Sequence, residues 1–224
     1  LVSEKNSVSF ENLFSAGGFV MFPLLGFSIL AVALSLERFI FWWRLIQRQE
    51  PLVREVFHLY PRSPRNALQK LQQNTDLPIA RIFLAALELD RPNPEEFRLA
   101  LESSAQAELP LLKRFNTVFE TIISLSPLLG LLGTVLGLIR SFASLRLGDV
   151  AGANSVGVSA GISEALVSTA TGLVVAILTL MLANTFRGLY QRQIALIQEY
   201  GGQLELLYRR CYEYWGEKKP YAPT

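Results

Sequence analysis

The chain has 224 residues, of which 50% are hydrophobic and only 18% charged, and its net charge is +2. With a mean hydropathy of +0.30, this is the balance of a membrane protein and not of a soluble domain, and so small a net charge argues against a nucleic-acid partner. A single cysteine, Cys211, excludes an internal disulfide, and with a single histidine, His58, it leaves no metal-ligand cluster.

Residues 1–11 read as an outer N-terminal segment and 12–43 as the first transmembrane helix. Asn12 to Leu36 contains no charge, and about 20 apolar residues at about 1.5 Å rise each cross a hydrocarbon core. The run is too long for a secretory signal, its leading residues are not basic, and no small-residue cleavage site follows it; a start at Leu1 and not Met leaves a processed N-terminus open. The span closes in LERFIFWWRL. There Glu37 and Arg38 meet Phe39, Phe41, Trp42 and Trp43, an aromatic and basic belt of the kind found at membrane interfaces. Pairing of Glu37 with a neighbouring subunit is the minor alternative.

Residues 44–116 read as a cytoplasmic helical loop, in which stretches such as NALQKLQQN and PIARIFLAALELD are separated by Pro61, Pro64 and Pro78. NPEEF marks a helix start: Asn93 caps, Pro94 suits the first helical position, and Glu95 and Glu96 complement the positive helix end. No strong stop follows until about Leu147, since Pro110 and Pro127 bend a helix without ending it. The second transmembrane helix, 117–145, uncharged from Thr121 to Ile139, is then the outer half of one long helix. A small Gly-rich outer loop, 146–160, leads to the third transmembrane helix, 161–186, uncharged from Ala165 to Ala183 after Glu164. The cytoplasmic helical tail, 187–224, continues the same pattern, with Gly201 and Gly202 as its candidate interruptions.

The fold class is therefore all-α, three transmembrane helices with long cytoplasmic helical extensions. Orientation follows from the basic residues, which are retained on the cytoplasmic side. Residues 1–11 and 146–160 hold one each, Lys5 and Arg146, against eleven in 44–116 and six from 187 onward. The N-terminus is expected outside and the C-terminus in the cytoplasm.

The glycines of SPLLGLLGTVLGLIRSF (126–142) suit helix packing, because close approach in lipid depends on small residues. Gly133 and Gly137 form a G-x-x-x-G pair continued by Gly130, and Gly161, Ala165, Ser168, Gly172, Ala176, Thr179 and Ala183 repeat the design on the third span. Packing explains the hydroxyls less readily. In a hairpin with ends at Phe142 and Gly161, Thr134 and Thr169 each lie eight residues inward, about 12 Å deep at a common level. Glu164 lies about one and a half turns nearer the outside, and an ionisable group within a span usually faces protein or an aqueous path. Two readings remain open on spacing alone. A cyclic oligomer would turn Glu164, Thr169 and Thr134 into rings lining an ion pathway; alternatively, the threonines bond their own helices and Glu164 sits at headgroup level.

SPLLGLLGTVLGLIRSF followed by GISEALVSTATGLVVAI resembles the paired signature of the ExbB/TolQ/MotA proton-channel family, most closely its ExbB and TolQ branches. GGFVMFPLLGFSILAVALSLERFIF is similar to that family's first span, and the likeness covers nearly the whole chain. The resemblance implies a bacterial inner-membrane subunit that uses proton-motive force, a homo-oligomeric ring (a pentamer) enclosing the single spans of an ExbD-like or TolR-like partner that supplies a transmembrane aspartate. It also implies that Thr134 and Thr169 line the proton pathway and that Glu164 is the family's glutamate. A flagellar stator subunit fits less well, having a fourth span. The rival from another class is a passive membrane scaffold that binds partner spans without conducting protons. An enzyme is a poor third, with no catalytic triad in the spans and no phosphate-cradling loop or other cofactor motif.

Overall fold

The computed structural model describes residues 17–90, 92–146 and 154–217. Six helices follow in chain order: α1 Met21–Leu59, α2 Pro64–Gln72, α3 Pro78–Leu87, α4 Pro94–Leu112, α5 Asn116–Arg146 and α6 Asn154–Glu217. No strand occurs among the described residues. The stretches expected as the outer N-terminal segment (1–11), the middle of the outer loop (147–153) and the end of the tail (218–224) lie outside the described residues.

Proline does most of the local punctuation. Pro64, Pro78 and Pro94 each open a helix, where the missing N–H would have no intrahelical acceptor in any case. Pro51, Pro110 and Pro127 lie inside α1, α4 and α5 and do not end them. At the start of α4 the Asn93 side chain accepts from the backbone N–H of Glu95 (3.0 Å) and Glu96 (2.9 Å), while the Asn93 N–H donates to Glu96 Oε2 (2.8 Å), a reciprocal capping box.

Three sequence expectations change. The helix that opens at Pro94 does not run unbroken to about Leu147; it stops at Leu112, and the chain turns through Lys113 to Phe115, whose φ of 69° no helix accommodates. Conversely, α6 passes through Gly201 and Gly202 without interruption, since glycine lowers helix propensity without removing a hydrogen bond. The third long helix begins at Asn154, a turn and more before Gly161.

The chain divides into two compact units. The first contains residues 17–37 and 115–185, hence the beginning of α1, all of α5 and the first part of α6. These three stretches belong to helices long and apolar enough to cross a membrane. Their outward faces are bare hydrocarbon, including Phe22, Ile29, Leu128, Leu131, Phe142, Leu166 and Ile177, an arrangement that water would penalise and lipid accepts. The interior is built from small residues. A methyl group added at Gly137 would lie 2.6 Å from the Gly161 carbonyl oxygen, and one at Gly172 would lie 2.5 Å from that of Ser126. The backbones of α5 and α6 are in direct contact along this seam.

The second unit contains residues 38–114 and 186–217 as described, with an ordinary apolar core of Leu45, Val56, Leu71, Ile82, Phe83, Phe97 and Leu204. Within it α2 packs on α3 and α3 on α4. Arg81 of α3 grips Glu108 of α4 through both carboxylate oxygens, Nε at 2.7 Å, and these bonds hold the guanidinium above its ordinary pKa. Phe97 stacks on Tyr208 with ring centroids 4.0 Å apart, and the Tyr208 hydroxyl donates to the Pro92 carbonyl at 2.6 Å. Gln193 donates to Gln49 in a buried amide pair between α6 and α1. Arg38 is buried too, its guanidinium 5.0 Å from the Phe41 ring centre and donating to the Leu111 carbonyl at 3.1 Å. It thus adds a side-chain donor to a last-turn carbonyl of α4 that also accepts the Arg114 N–H at 3.3 Å and is more than an interfacial anchor.

Candidate functional site

The polar residues that the sequence singles out in the first unit sit on the α5–α6 hairpin, and the seam sets their positions. Gly172 approaches Ser126 and Gly130, Gly130 approaches Thr169, Gly133 approaches Ser168, and Gly137 approaches Gly161 and Ala165. Thr169 is therefore level with Gly130, and Thr134 lies a turn further along α5, about 6 Å at about 1.5 Å per residue. Their hydroxyls lie closer than the backbone does, since they bond the neighbouring carbonyls of Leu131 and Gly130 on α5. From the Glu164 end the order along the hairpin is Glu164, Thr134, Thr169.

Direction around the helices separates these residues further. At about 100° per residue, counted from the glycine seam, Thr134 and Thr169 fall on one flank of the hairpin. Arg140 and Glu164 fall on the other. The contacts agree: Arg140 Nη1 lies 2.6 Å from Glu164 Oε1 and 2.7 Å from Oε2. The Glu164 side chain is only 13% exposed, that of Arg140 58%.

The threonines differ in what they hold. Thr169 Oγ1 crosses the seam and donates to the Gly130 carbonyl at 2.9 Å, whereas Thr134 Oγ1 donates within α5 to Leu131 at 2.6 Å. Ser126, Ser168, Thr171 and Thr179 also bond carbonyls of their own helices, which satisfies these hydroxyls within the protein. Gly130, Gly133, Gly137 and Gly172 all have a neighbouring helix within 3.1 Å of an added methyl group.

Two residues of this region were not singled out in the sequence. Arg140 closes SPLLGLLGTVLGLIRSF at its polar end and there resembles one more interfacial cation. Its signal was available, because the hairpin count that sets Thr134 against Thr169 also sets Arg140 beside position 163, next to Glu164. Gly18 precedes α1 in a left-handed conformation, φ +67°, and a side chain there would overlap the Glu164 carboxylate. No sequence pattern announces that approach. No group of three or more His, Cys, Asp or Glu suited to a metal ion occurs among the described residues.

A family model described as the MotA/TolQ/ExbB proton channel family matches residues 74–199, more than half of the chain and the whole of the hairpin. The chain belongs to this family. Over 209 residues it is 63% identical to the Synechocystis sp. biopolymer transport protein named ExbB-like 3, covering 93% of this chain and 99% of that one. It is 42% identical over 211 residues to ExbB-like 1 of the same organism, covering 94% and 81%. It is 36% identical over 97 residues to the biopolymer transport protein ExbB of Salmonella typhimurium, covering 43% and 39%. Like other members of the MotA/TolQ/ExbB family, the chain is a multi-pass membrane protein of the proton-channel type.

Proposed function

We propose that the chain is the ring-forming subunit of a proton-motive-force-driven motor in the bacterial inner membrane. Five copies enclose the single spans of an ExbD-like or TolR-like partner, with N-termini outside and the second unit in the cytoplasm. Thr134 and Thr169 exchange protons with the partner's aspartate, Glu164 sets the outer end of the pathway, and motion of the partner against the ring carries work to the cell envelope. The subunit itself is not an enzyme. One observation carries this reading: in a family of proton channels, two threonines stand on the same flank of the α5–α6 hairpin, their hydroxyls on neighbouring carbonyls of α5. Hydroxyls grouped on one flank suit the lining of an ion path.

A passive scaffold is the second reading. It draws support from the two hydroxyl protons, both of which are already committed to carbonyls. The deciding experiment is affinity purification from the native membrane, identification of what remains bound, and proton uptake by vesicles carrying the intact complex. A co-purifying single-span protein with an aspartate in its span, and uptake lost on changing Thr134 or Thr169, support the motor. A homo-oligomer alone, or an intact complex that takes up no protons, favours the scaffold.

A further inference from the structure

The Arg140–Glu164 pair lies on the flank of the hairpin opposite the two threonines, and the turn before α1 closes over it. Three features meet there. Arg140 reaches both carboxylate oxygens from α5. Gly18 brings its backbone so close to Oε1 that any Cβ would collide with it, and its φ of +67° favours glycine. On the same side Val20 is buried, with its Cβ 3.7 Å from where a Gly133 side chain would begin. A carboxylate enclosed in this way has its oxygens occupied and its rotamer fixed.

We infer that Glu164 is a latch and not a proton carrier: Arg140 positions it, and the two together seat the start of the first span on the α5–α6 hairpin. This deepens the proposed function by assigning Glu164 to holding the pathway's outer wall, while the threonines face the partner. Physically, breaking this pair by removing Arg140 is costly, because the Glu164 carboxylate, 13% exposed against 58% for Arg140, is left buried and unpaired. Its two members are interchangeable in sign. A proton carrier is not, since an arginine never gives up its proton under working conditions.

The test exploits that asymmetry on the full-length complex. Arg140→Glu and Glu164→Arg each lower the thermal midpoint, and the double exchange recovers at least half of the loss; Arg140→Lys retains most of it. In the unaltered complex a hydrophobic carbodiimide, which attacks protonated carboxyl groups in apolar surroundings, leaves the Glu164 peptide unlabelled, and Arg140→Gln raises its labelling on the order of tenfold. Gly18→Ala raises it as well. A double exchange no better than Glu164→Arg alone, or equal labelling with and without Arg140, overturns the latch. Proton uptake by the same vesicles is read separately: an unaltered complex that takes up no protons ends the channel reading, while midpoint and labelling still decide the latch.

Discussion

Thr169 reaches across the seam to the carbonyl of Gly130, 2.9 Å away on the neighbouring helix. Glycine at 130 makes the approach feasible, because a methyl group there would stand 3.0 Å from the Thr169 Cα. One hydroxyl therefore serves two ends, closing the hairpin and standing on the flank assigned to the pathway.

Thr169→Ala removes the hydroxyl from that flank while costing the hairpin only about 0.6 kcal/mol, a typical interhelical hydrogen bond in a membrane. The expected outcome is an assembled complex with proton uptake abolished, and Thr169→Ser restores uptake. Native mass measurement and vesicle uptake on the same preparations check both halves. An assembled Thr169→Ala complex with normal uptake would remove the threonine from the pathway.

Glycine positions separate into two classes. Gly137→Ala drives a methyl group to 2.6 Å from a backbone oxygen and is expected to destabilise the hairpin by about 1–3 kcal/mol, the usual cost of overpacking. Gly201→Ala and Gly202→Ala meet nothing within 4 Å and lie inside a helix, so each is expected to stabilise by up to about 1 kcal/mol. Thermal unfolding in detergent distinguishes the two signs.

The buried Gln49–Gln193 pair predicts strong coupling. Gln49→Leu alone strands the partner amide without its hydrogen bond and costs about 1–3 kcal/mol. Replacing both by Leu removes the unmet polar group and recovers most of that loss. A double-mutant cycle on denaturant midpoints measures the difference; simple additivity would contradict the pairing.

Tyr60 is expected to contribute to the alkaline limit of the second unit. Burial, and after it the neighbouring Tyr208 and Cys211, push its phenol well above the ordinary tyrosine range. With the folded pKa raised, its contribution to stability is whole below about pH 10 and is lost above it, because the unfolded chain ionises first. The slope is about 1.4 kcal/mol per pH unit. Comparing Tyr60→Phe with the unaltered chain between pH 9 and about 12 isolates that slope, and parallel curves would refute it.

Much of this architecture is legible in residue order. The Asn93, Pro94 and Glu96 start is local chemistry, and the small-residue seam is a periodicity, so both can be read without tertiary knowledge. The stop at Leu112 cannot, because Phe115 carries no turn signature and adopts its positive φ only through the surrounding fold. The site was legible by kind more than by placement. Thr134, Thr169 and Glu164 are conspicuous as polar residues in lipid, but helix register in the hairpin depends on which small residues meet. Gly18 illustrates the limit, since a glycine's value there is the space it leaves for a residue far along the chain.

The seam of α5 and α6 carries a mechanical consequence. Where side chains separate two helices, a push on one is first absorbed by rotamers and cavities before the other responds. Here main chain abuts main chain at Gly137 and Gly161, and again at Gly172 and Ser126, leaving no deformable layer between them. Displacement imposed on either helix is therefore expected to reach the other with little slack.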